Sequence, residues 1–221
     1  AYVVMEEAGR ALLLEPWLPT VLMGAGVIAR AGSADQCAAI LPAVGAGGRQ
    51  LALAHYEPGA RYALDAVSSE ARRDEGGWVI SGAKTYVLNG AGADQLIVSA
   101  RTAKGLSLFL AERVAPGITV RDYPMYDARR AAEVRFDGVR VGPGALLGEE
   151  GGAAPHLAAT SDAAIAALPE RYKAVVMLYY LEDVSYPEIA EILDLPLGTV
   201  KTHLHRAKRI ARENERFYYW F

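Results

Sequence analysis

The spacing of hydrophobic and polar positions changes twice along the chain. Over the first 50 residues, apolar side chains such as Met5, Leu12 and Leu13 fall on one helical face. From Leu51 the apolar residues form short alternating runs separated by Gly, Asp and Pro. From Ser161 to the C-terminus the helical spacing returns. Because helices and strands repeat with different periods, this pattern predicts helical ends around a β-rich middle.

The β-rich middle divides into eight short candidate strands. Residues 74–77 and 81–82 contain glycines that suit hairpin turns between them. So many short strands at close spacing predict a compact antiparallel barrel or sandwich. The predicted strands are residues 51–56, 66–72, 78–81, 84–88, 95–101, 106–111, 118–122 and 131–136.

Five segments follow from these changes, and together they predict an α+β multidomain fold. A short helix around residues 36–44 belongs to the first segment, and the Gly- and Pro-rich residues 142–154 indicate where the β domain ends. The segments are a partial helical domain at 1–50, a β middle domain at 51–150, a linker at 151–163, an all-α helix-turn-helix domain at 164–215 and an aromatic tail at 216–221.

The tail ends in five consecutive aromatic residues, Phe217 to Phe221. A contiguous aromatic patch is costly to expose to water. Either these residues cover an open face of the β domain, or they are an out-of-frame tail.

The charge of the chain is unevenly distributed. The net charge of −3 excludes a protein that coats nucleic acid with its whole surface. Residues 161–195 contain seven acidic and two basic residues, whereas residues 199–212 contain five basic and no acidic ones. Any contact with DNA is therefore expected to be local.

Cysteine content and hydrophobic run length indicate the compartment. The single cysteine, Cys37, excludes an intramolecular disulfide and fits a reducing environment. No apolar run is long enough for a membrane-spanning helix, and no signal-peptide pattern opens the chain. We expect a cytoplasmic protein without membrane contact, and the start at Ala1 suggests a fragment.

Residues 185–212 have the pattern of two short helices joined by a tight turn. Ser185 and Glu188 form a capping-box pair at the start of the first helix. Ile189, Ile192 and Leu193 are predicted to be its buried stripe, and residues 194–198 interrupt the helix.

The second helix of this pair separates its apolar and basic positions. Val200, Leu204 and two alanines repeat on one face. Polar and basic side chains on an exposed helix face can contact phosphates and base edges in the major groove. An ordinary solvated amphipathic helix is the alternative for the charge pattern alone. The opposite face carries Lys201, Thr202, His205, Arg206, Arg209 and Arg212.

The stretch from Ala164 to Glu213, with its motif GTVKTHLHRA, resembles region four of extracytoplasmic-function sigma factors. That module reads the promoter −35 element, so double-stranded promoter DNA and RNA polymerase are the implied partners. The family often has glycine where this chain has Asp194, a residue that tolerates the left-handed turn conformation. Region two of the family is missing. By the resemblance, the DNA-facing residues are Thr199, Lys201, Thr202, His205 and Arg206, with Arg209 near phosphate.

Residues 1–150 resemble acyl-CoA dehydrogenases, in particular the small subunit of heteromeric enzymes such as pimeloyl-CoA dehydrogenase. The resemblance lies in LALAHYEPGARY, GWVISGAKTYVLNGAGADQLIVSAR and AAEVRFDGVRVGPGALLG. It implies FAD and a CoA thioester substrate, with hydride transfer to the flavin. The implied cofactor-binding residues are His55, Tyr56, Gly59, Tyr86 and Leu88.

The chain departs from this second family at several positions. Arg61 and Tyr62 replace a Gly-Ser pair that contacts pyrophosphate, and Leu88 replaces a threonine that hydrogen-bonds the flavin. Tyr86 either packs in the core or forms a flavin wall, and His55 is either a satisfied core histidine or functional. The helical domain that carries the catalytic base is missing, so we expect no catalytic residue, no metal site and no activity of the chain alone.

The sequence therefore predicts a chimera of an incomplete flavin and acyl-CoA domain with a promoter-binding module. Residues 161–168 fit both families, which places the crossover there. The alternative is an FAD-binding acyl-CoA dehydrogenase subunit or fragment that assists a partner subunit, with the helix-turn-helix incidental.

Overall fold

The structure is a computed structural model that describes residues 15–60, 63–125, 128–165, 174–175, 177–179, 182 and 184–213. The chain divides into two compact units. The larger comprises Leu14–Thr160, and the smaller contains Ser161–Phe221. The helical positions predicted before residue 15 and the aromatic tail lie outside the described residues.

Three helices precede the sheet: a π-helix, α1 (Leu18–Ala25), followed by α2 (Gly26–Ala31) and α3 (Ala34–Gly45). α3 confirms the helix predicted around residues 36–44. It begins there because Ser33 and Gln36 form a capping box, with Gln36 N donating to Ser33 Oγ at 3.2 Å.

Eight strands form one sheet. β2 (Glu70–Asp74) and β3 (Gly77–Leu88) form a hairpin, and β4 (Gln95–Thr102) and β5 (Gly105–Glu112) form another. The strand order is β6-β7-β3-β2-β4-β5-β8, with β1 paired to β4. The remaining strands are β1 (Leu51–Ala54), β6 (Ile118–Pro124), β7 (Arg130–Val141) and β8 (Leu146–Leu147).

Two features of the sheet differ from the sequence prediction. β1 and β2 each pair with β4 in parallel, so the prediction of a wholly antiparallel sheet is wrong at these two pairs. The turn predicted at residues 81–82 is also wrong, because β3 runs through it as one strand. Gly82 has a φ of +148° there, and a Cβ would lie 2.2 Å from Ser69 Oγ. This glycine therefore permits a close strand contact.

The hydrophobic core of the larger unit is formed mainly by side chains of the sheet. Trp78 and Phe109 meet edge to face with their ring centroids 5.0 Å apart. Residues 95–100 of β4 are buried along their whole length, as expected for a strand with both faces covered. The apolar burial of this core is the main source of stability for the unit.

α1 packs closely on β1. Thr20 Oγ1 of α1 donates to the carbonyl of Leu51 at 3.2 Å, and Gly24 faces the same residue. A Cβ on Gly24 would lie 2.5 Å from Leu51 Cβ. Only glycine fits at this position without a shift of the helix or the strand.

We expect Gly24→Ala to lower the free energy of unfolding of the larger unit by about 1–3 kcal/mol, because the added methyl overpacks the α1–β1 contact. Gly45→Ala is the matched control, since Gly45 ends α3 and a Cβ there meets nothing within 4 Å. Urea unfolding of both variants measures the difference. Equal midpoints for the two variants would contradict the close contact.

The smaller unit is helical in its described parts. α4 (Ala153–Ile165) crosses from the larger unit and includes most of the residues predicted as a linker. α5 (Tyr186–Ile192) and α6 (Leu197–Glu213) follow, joined by residues 193–196. Within the described ranges, no helix combines the length and hydrophobicity needed to cross a membrane.

Candidate functional site

Two stretches predicted to contact a cofactor meet in the larger unit. After β1 the chain leaves the sheet as residues 55–59, and β3 bulges against β7 between Lys84 and Val87. The amide of Thr85 in this bulge donates to the carbonyl of Tyr56 at 2.8 Å. Sequence motifs almost 30 residues apart are thereby fixed side by side.

The bulge holds an unusual backbone conformation. Tyr86 has a φ of +56°, in the left-handed region that bulky side chains rarely adopt. Such strain persists only where the surrounding structure imposes it, and it concentrates at binding sites. The Thr85–Tyr56 hydrogen bond supplies part of that constraint.

A buried ion pair lies at this junction. Lys84 Nζ is 2.7 Å from Glu57 Oε1, and the two side chains are 0% and 5% exposed. Lys84 Nζ also donates to the carbonyl of His55 at 3.2 Å and to Ser99 Oγ at 3.0 Å. The three protons of the ammonium group therefore each have an acceptor.

Both carboxylate oxygens of Glu57 accept hydrogen bonds. The backbone amides of Ser68 and Ser69 donate at 2.7 and 2.9 Å, and both hydroxyls donate as well. Burial alone raises the pKa of this carboxyl, but the hydrogen bonds from Lys84 and the two serines outweigh it and bring the pKa to about 2. Glu57 is therefore a charged structural group and a poor general base at neutral pH.

His55 is the third titratable group of the cluster. Its Nδ1 lies 2.9 Å from Ser99 Oγ, and the residue is 3% exposed. Burial, assisted by the positive charge of Lys84, lowers its pKa to about 4. Burial also lowers the pKa of Lys84 to about 8, against the opposing effect of Glu57. At pH 7 the cluster holds one carboxylate, one ammonium and one neutral imidazole.

The structure places the five predicted cofactor residues in different environments. His55 and Leu88 are buried, Tyr56 and Tyr86 are half-buried, and Gly59 is exposed in a turn with a φ of +85°. Tyr56 and Tyr86 thus offer aromatic surface, and Gly59 offers open backbone to a ligand. The buried aliphatic side chain of Leu88 supplies neither. Arg61 and Tyr62 lie outside the described residues.

The sequence interpretation missed Lys84, Ser68, Ser69 and Ser99. One signal was available for Lys84. It lies in phase with Trp78 and Ile80, both buried positions of β3, so the alternation of the strand places a lysine on the core side. A lysine at such a position needs a buried partner.

In the smaller unit, α5 begins as the sequence predicts. The Ser185 side chain accepts from the Glu188 amide, and the Ser185 amide donates to Glu188 Oε2 at 3.0 Å, which confirms the capping box. Ile189 is buried, but Ile192 is 59% exposed, so its prediction as a buried residue is wrong. Ile192 is the last residue of a short helix, where the core-facing stripe ends.

α6 exposes the residues predicted to face DNA as far as they are described. Lys201, Thr202 and His205 are exposed, whereas Thr199 is half-buried near the start of the helix. Val200 and Leu204 are buried on the other face. The side chains of Arg206 and Arg209 lie outside the described residues.

The connection between α5 and α6 depends on a left-handed residue. Asp194 has a φ of +49°, as expected from the glycine common at this position.

We expect Asp194→Gly to raise the free energy of unfolding of the smaller unit by about 0.5–1 kcal/mol, because glycine adopts this conformation without steric cost. Asp194→Val should lower it by at least as much. Thermal unfolding, followed by the circular dichroism of the helices, ranks the two variants and the wild type by stability. A valine variant more stable than the wild type would contradict the prediction.

In the comparison with known proteins, two segments of the chain match different family models. Residues 52–139 match the family model for the acyl-CoA dehydrogenase middle domain, and residues 162–210 match the model for sigma-70 region 4. Both resemblances predicted from the sequence are confirmed. The chain combines an acyl-CoA dehydrogenase middle domain with a sigma-70 region 4 segment.

Individual relatives show the same division. The mitochondrial long-chain specific acyl-CoA dehydrogenase of Sus scrofa is 37% identical over 56% of this chain and 31% of its own length. The ECF RNA polymerase sigma factor SigW of Bacillus subtilis is 38% identical over 32% of this chain and 38% of its own length. A solved FAD-dependent dehydrogenase is 26% identical with a TM-score of 0.68, over 79% of this chain and 49% of that one. The chain thus spans about a third of the length of the curated relatives it matches.

Proposed function

We propose that the chain binds promoter DNA through α6, as a helix-turn-helix whose second helix enters the major groove. The exposure of Lys201, Thr202 and His205 on one face, opposite the buried Val200 and Leu204, is the observation that carries this proposal. A helix anchored on one side and polar on the other can insert its free face between the DNA strands' backbones.

We propose a promoter −35 element as the DNA target and RNA polymerase as a partner, and the likeness to sigma-70 region 4 and to a sigma factor supports both. Thr199, Lys201, Thr202, His205 and Arg206 are the proposed base- and phosphate-facing residues, with Arg209 near a phosphate. Lys201 and Arg206 carry the charge for contacts in the groove.

The test is a mobility shift of a −35-type duplex with the full chain. Lys201→Ala should weaken binding roughly tenfold, as loss of one good contact in a specific site does. Arg72→Ala is the matched control, because it removes the same charge from an 80% exposed side chain of the larger unit. The absence of a shift for the wild type, or equal weakening by both variants, would refute the proposal.

A second proposal concerns the larger unit: it binds FAD at the junction of residues 55–59 with the β3 bulge. Tyr56 and Tyr86 would contact the flavin ring, the open backbone at Gly59 would lie toward the diphosphate, and His55 would support the segment from the core. When bound, the flavin supplies a hydride acceptor for the oxidation of an acyl-CoA thioester. The strained backbone of Tyr86, next to Tyr56, is the observation that favours FAD binding over a purely structural role for this part of the sheet.

The described residues of this site suit binding of FAD better than removal of a proton from an acyl-CoA. Glu57 is the carboxylate at the junction, and its ion pair with Lys84 keeps it from acting as a base. We therefore propose that turnover of an acyl-CoA needs a base supplied from elsewhere, such as a partner dehydrogenase subunit.

FAD titration of the purified full chain tests the second proposal. A bound flavin should show as an absorbance band that stays with the protein, and saturating FAD should raise the melting temperature. Tyr86→Ala, which keeps the left-handed backbone requirement, should weaken binding roughly tenfold. Val114→Ala, at an apolar position that is 75% exposed, should not. A colourless wild-type chain without a melting shift would refute it.

A further inference from the structure

The buried lysine of β3 has three hydrogen-bond acceptors, and two of them belong to residues 55–59. Lys84 Nζ binds the carbonyl of His55 at 3.2 Å and the carboxylate of Glu57 at 2.7 Å. The Lys84 ammonium group of β3 thus binds the neighbouring segment on both sides of Tyr56. Together with the Thr85–Tyr56 hydrogen bond, these contacts hold the backbone at His55 and Tyr56 and the side chain of Glu57.

The third acceptor, Ser99 Oγ, connects Lys84 to the imidazole ring of His55. Because Lys84 donates to Ser99 Oγ at 3.0 Å, the hydroxyl proton of Ser99 must go elsewhere. Its two acceptors are His55 Nδ1 at 2.9 Å and the carbonyl of His55 at 3.5 Å. We assign Nδ1, the shorter contact, as the acceptor, and this assignment places the His55 proton on Nε2.

The cluster is therefore ordered as a chain from Glu57 through Lys84 and Ser99 to His55. Each member is buried, and the serines at 68 and 69 complete the coordination of the carboxylate. Hydrogen bonds connect all four members, and a buried network of this kind is rigid. A buried ion pair adds little net stability compared with an apolar pair at the same place. The main contribution of the Lys84–Glu57 pair is therefore the fixed position that it gives to the neighbouring residues.

We propose that Lys84 is a positioning residue for the FAD site, fixing residues 55–59 through the His55 carbonyl and Glu57, and fixing the His55 tautomer through Ser99. The inference rests on the proposed FAD binding. Lys84 is buried and acts through these neighbours, which present the aromatic surface and open backbone to the cofactor.

Ser99→Ala tests the role without breaking the ion pair. It removes the hydroxyl between Lys84 and His55, and we expect FAD affinity of the full chain to fall roughly tenfold, a typical loss when a supporting hydrogen bond is removed. Ser107→Ala is the matched control, since Ser107 is equally buried on β5 and bonds only outside this cluster in the contacts described. The control should bind FAD as the wild type does.

A spectroscopic readout separates positioning from general loosening. Histidine nitrogen spectra of the full chain should show His55 of the wild type as a single Nε2–H tautomer and His55 of Ser99→Ala as a mixture. Lys84→Met, if it folds, should also speed amide exchange at Thr85. A wild type with the proton on Nδ1, or a Ser99→Ala variant that binds FAD like Ser107→Ala, would overturn the proposal. A wild type that binds no FAD would instead refute the proposed function, whatever the tautomer.

Discussion

Replacing Lys84 by methionine is expected to lower the free energy of unfolding of the larger unit by about 3–5 kcal/mol. The substitution leaves Glu57 as a buried carboxylate without its cation, and the transfer of an unpaired charge into the core is strongly unfavourable. A loss of this size is a large fraction of the total stability of an ordinary domain.

Lys104→Met is the matched control for this prediction. Lys104 also pairs with a glutamate, Glu150 at 3.5 Å, but its side chain is 70% exposed. Because the lysine of this pair lies in solvent, its loss should cost far less. Urea unfolding of the full chain, with Trp220 replaced by phenylalanine so that fluorescence reports the larger unit, compares the two. Similar losses for both variants would show that the Lys84–Glu57 pair is not buried as described.

The second large effect is a loss of stability in acid. The folded pKa of His55 is about 4, below its ordinary value of 6.5, so the unfolded chain binds more protons between these values. Stability from His55 is therefore full above pH 6.5 and lost as the pH falls to 4, by about 3 kcal/mol. The pKa of Glu57, lowered from 4.5 to about 2, adds a comparable loss as the pH falls from 4.5 to 2.

The two groups can be separated because their pH windows barely overlap. His55→Asn, which retains an acceptor for Ser99, should flatten the dependence of the unfolding free energy between pH 6.5 and 4. It should leave the fall below pH 4.5 largely intact, since that part belongs mainly to Glu57. Lys84 is protonated in both states throughout this range and adds no slope. Urea unfolding at a series of pH values gives the curves, and parallel curves for wild type and variant would contradict the assignment to His55.

Local features of the fold were predictable from the sequence. The α3 cap depends on Ser33 and Gln36, three residues apart, and the left-handed Asp194 follows from the interruption after α5. Such features arise within one turn of chain, so the pattern of neighbouring residues contains them. Most strand starts also lie within one residue of the prediction, but β2 starts four residues later than predicted and β7 ends five residues later.

Features that join distant residues were not predictable in this way. Gly82 suggested a turn, but its real reason is the approach of Ser69, which no local pattern reveals. The parallel pairing of β1 with β4 joins residues more than 40 positions apart. The Lys84–Glu57 pair likewise depends on the bulge that brings β3 to residues 55–59. The chemistry of the candidate site therefore emerges only from the tertiary structure.

The chain brings together a unit built around a buried polar cluster and a unit with an exposed basic helix. The proposed DNA contact of that helix is the central functional claim. It concerns basic residues, of which Lys201 is described as exposed, so its signature is electrostatic. Binding to phosphates releases counterions and therefore weakens steeply as salt is added.

The most direct measurement is the salt dependence of binding between the full chain and a labelled −35-type duplex, followed by fluorescence anisotropy. We predict a logarithm of the association constant that falls linearly with the logarithm of salt, with a slope of about −2 or steeper. Replacing Lys201 and Arg206 together by alanine should make that slope shallower by roughly one to two. No binding at low salt, or an unchanged slope in the double variant, would contradict DNA recognition by α6.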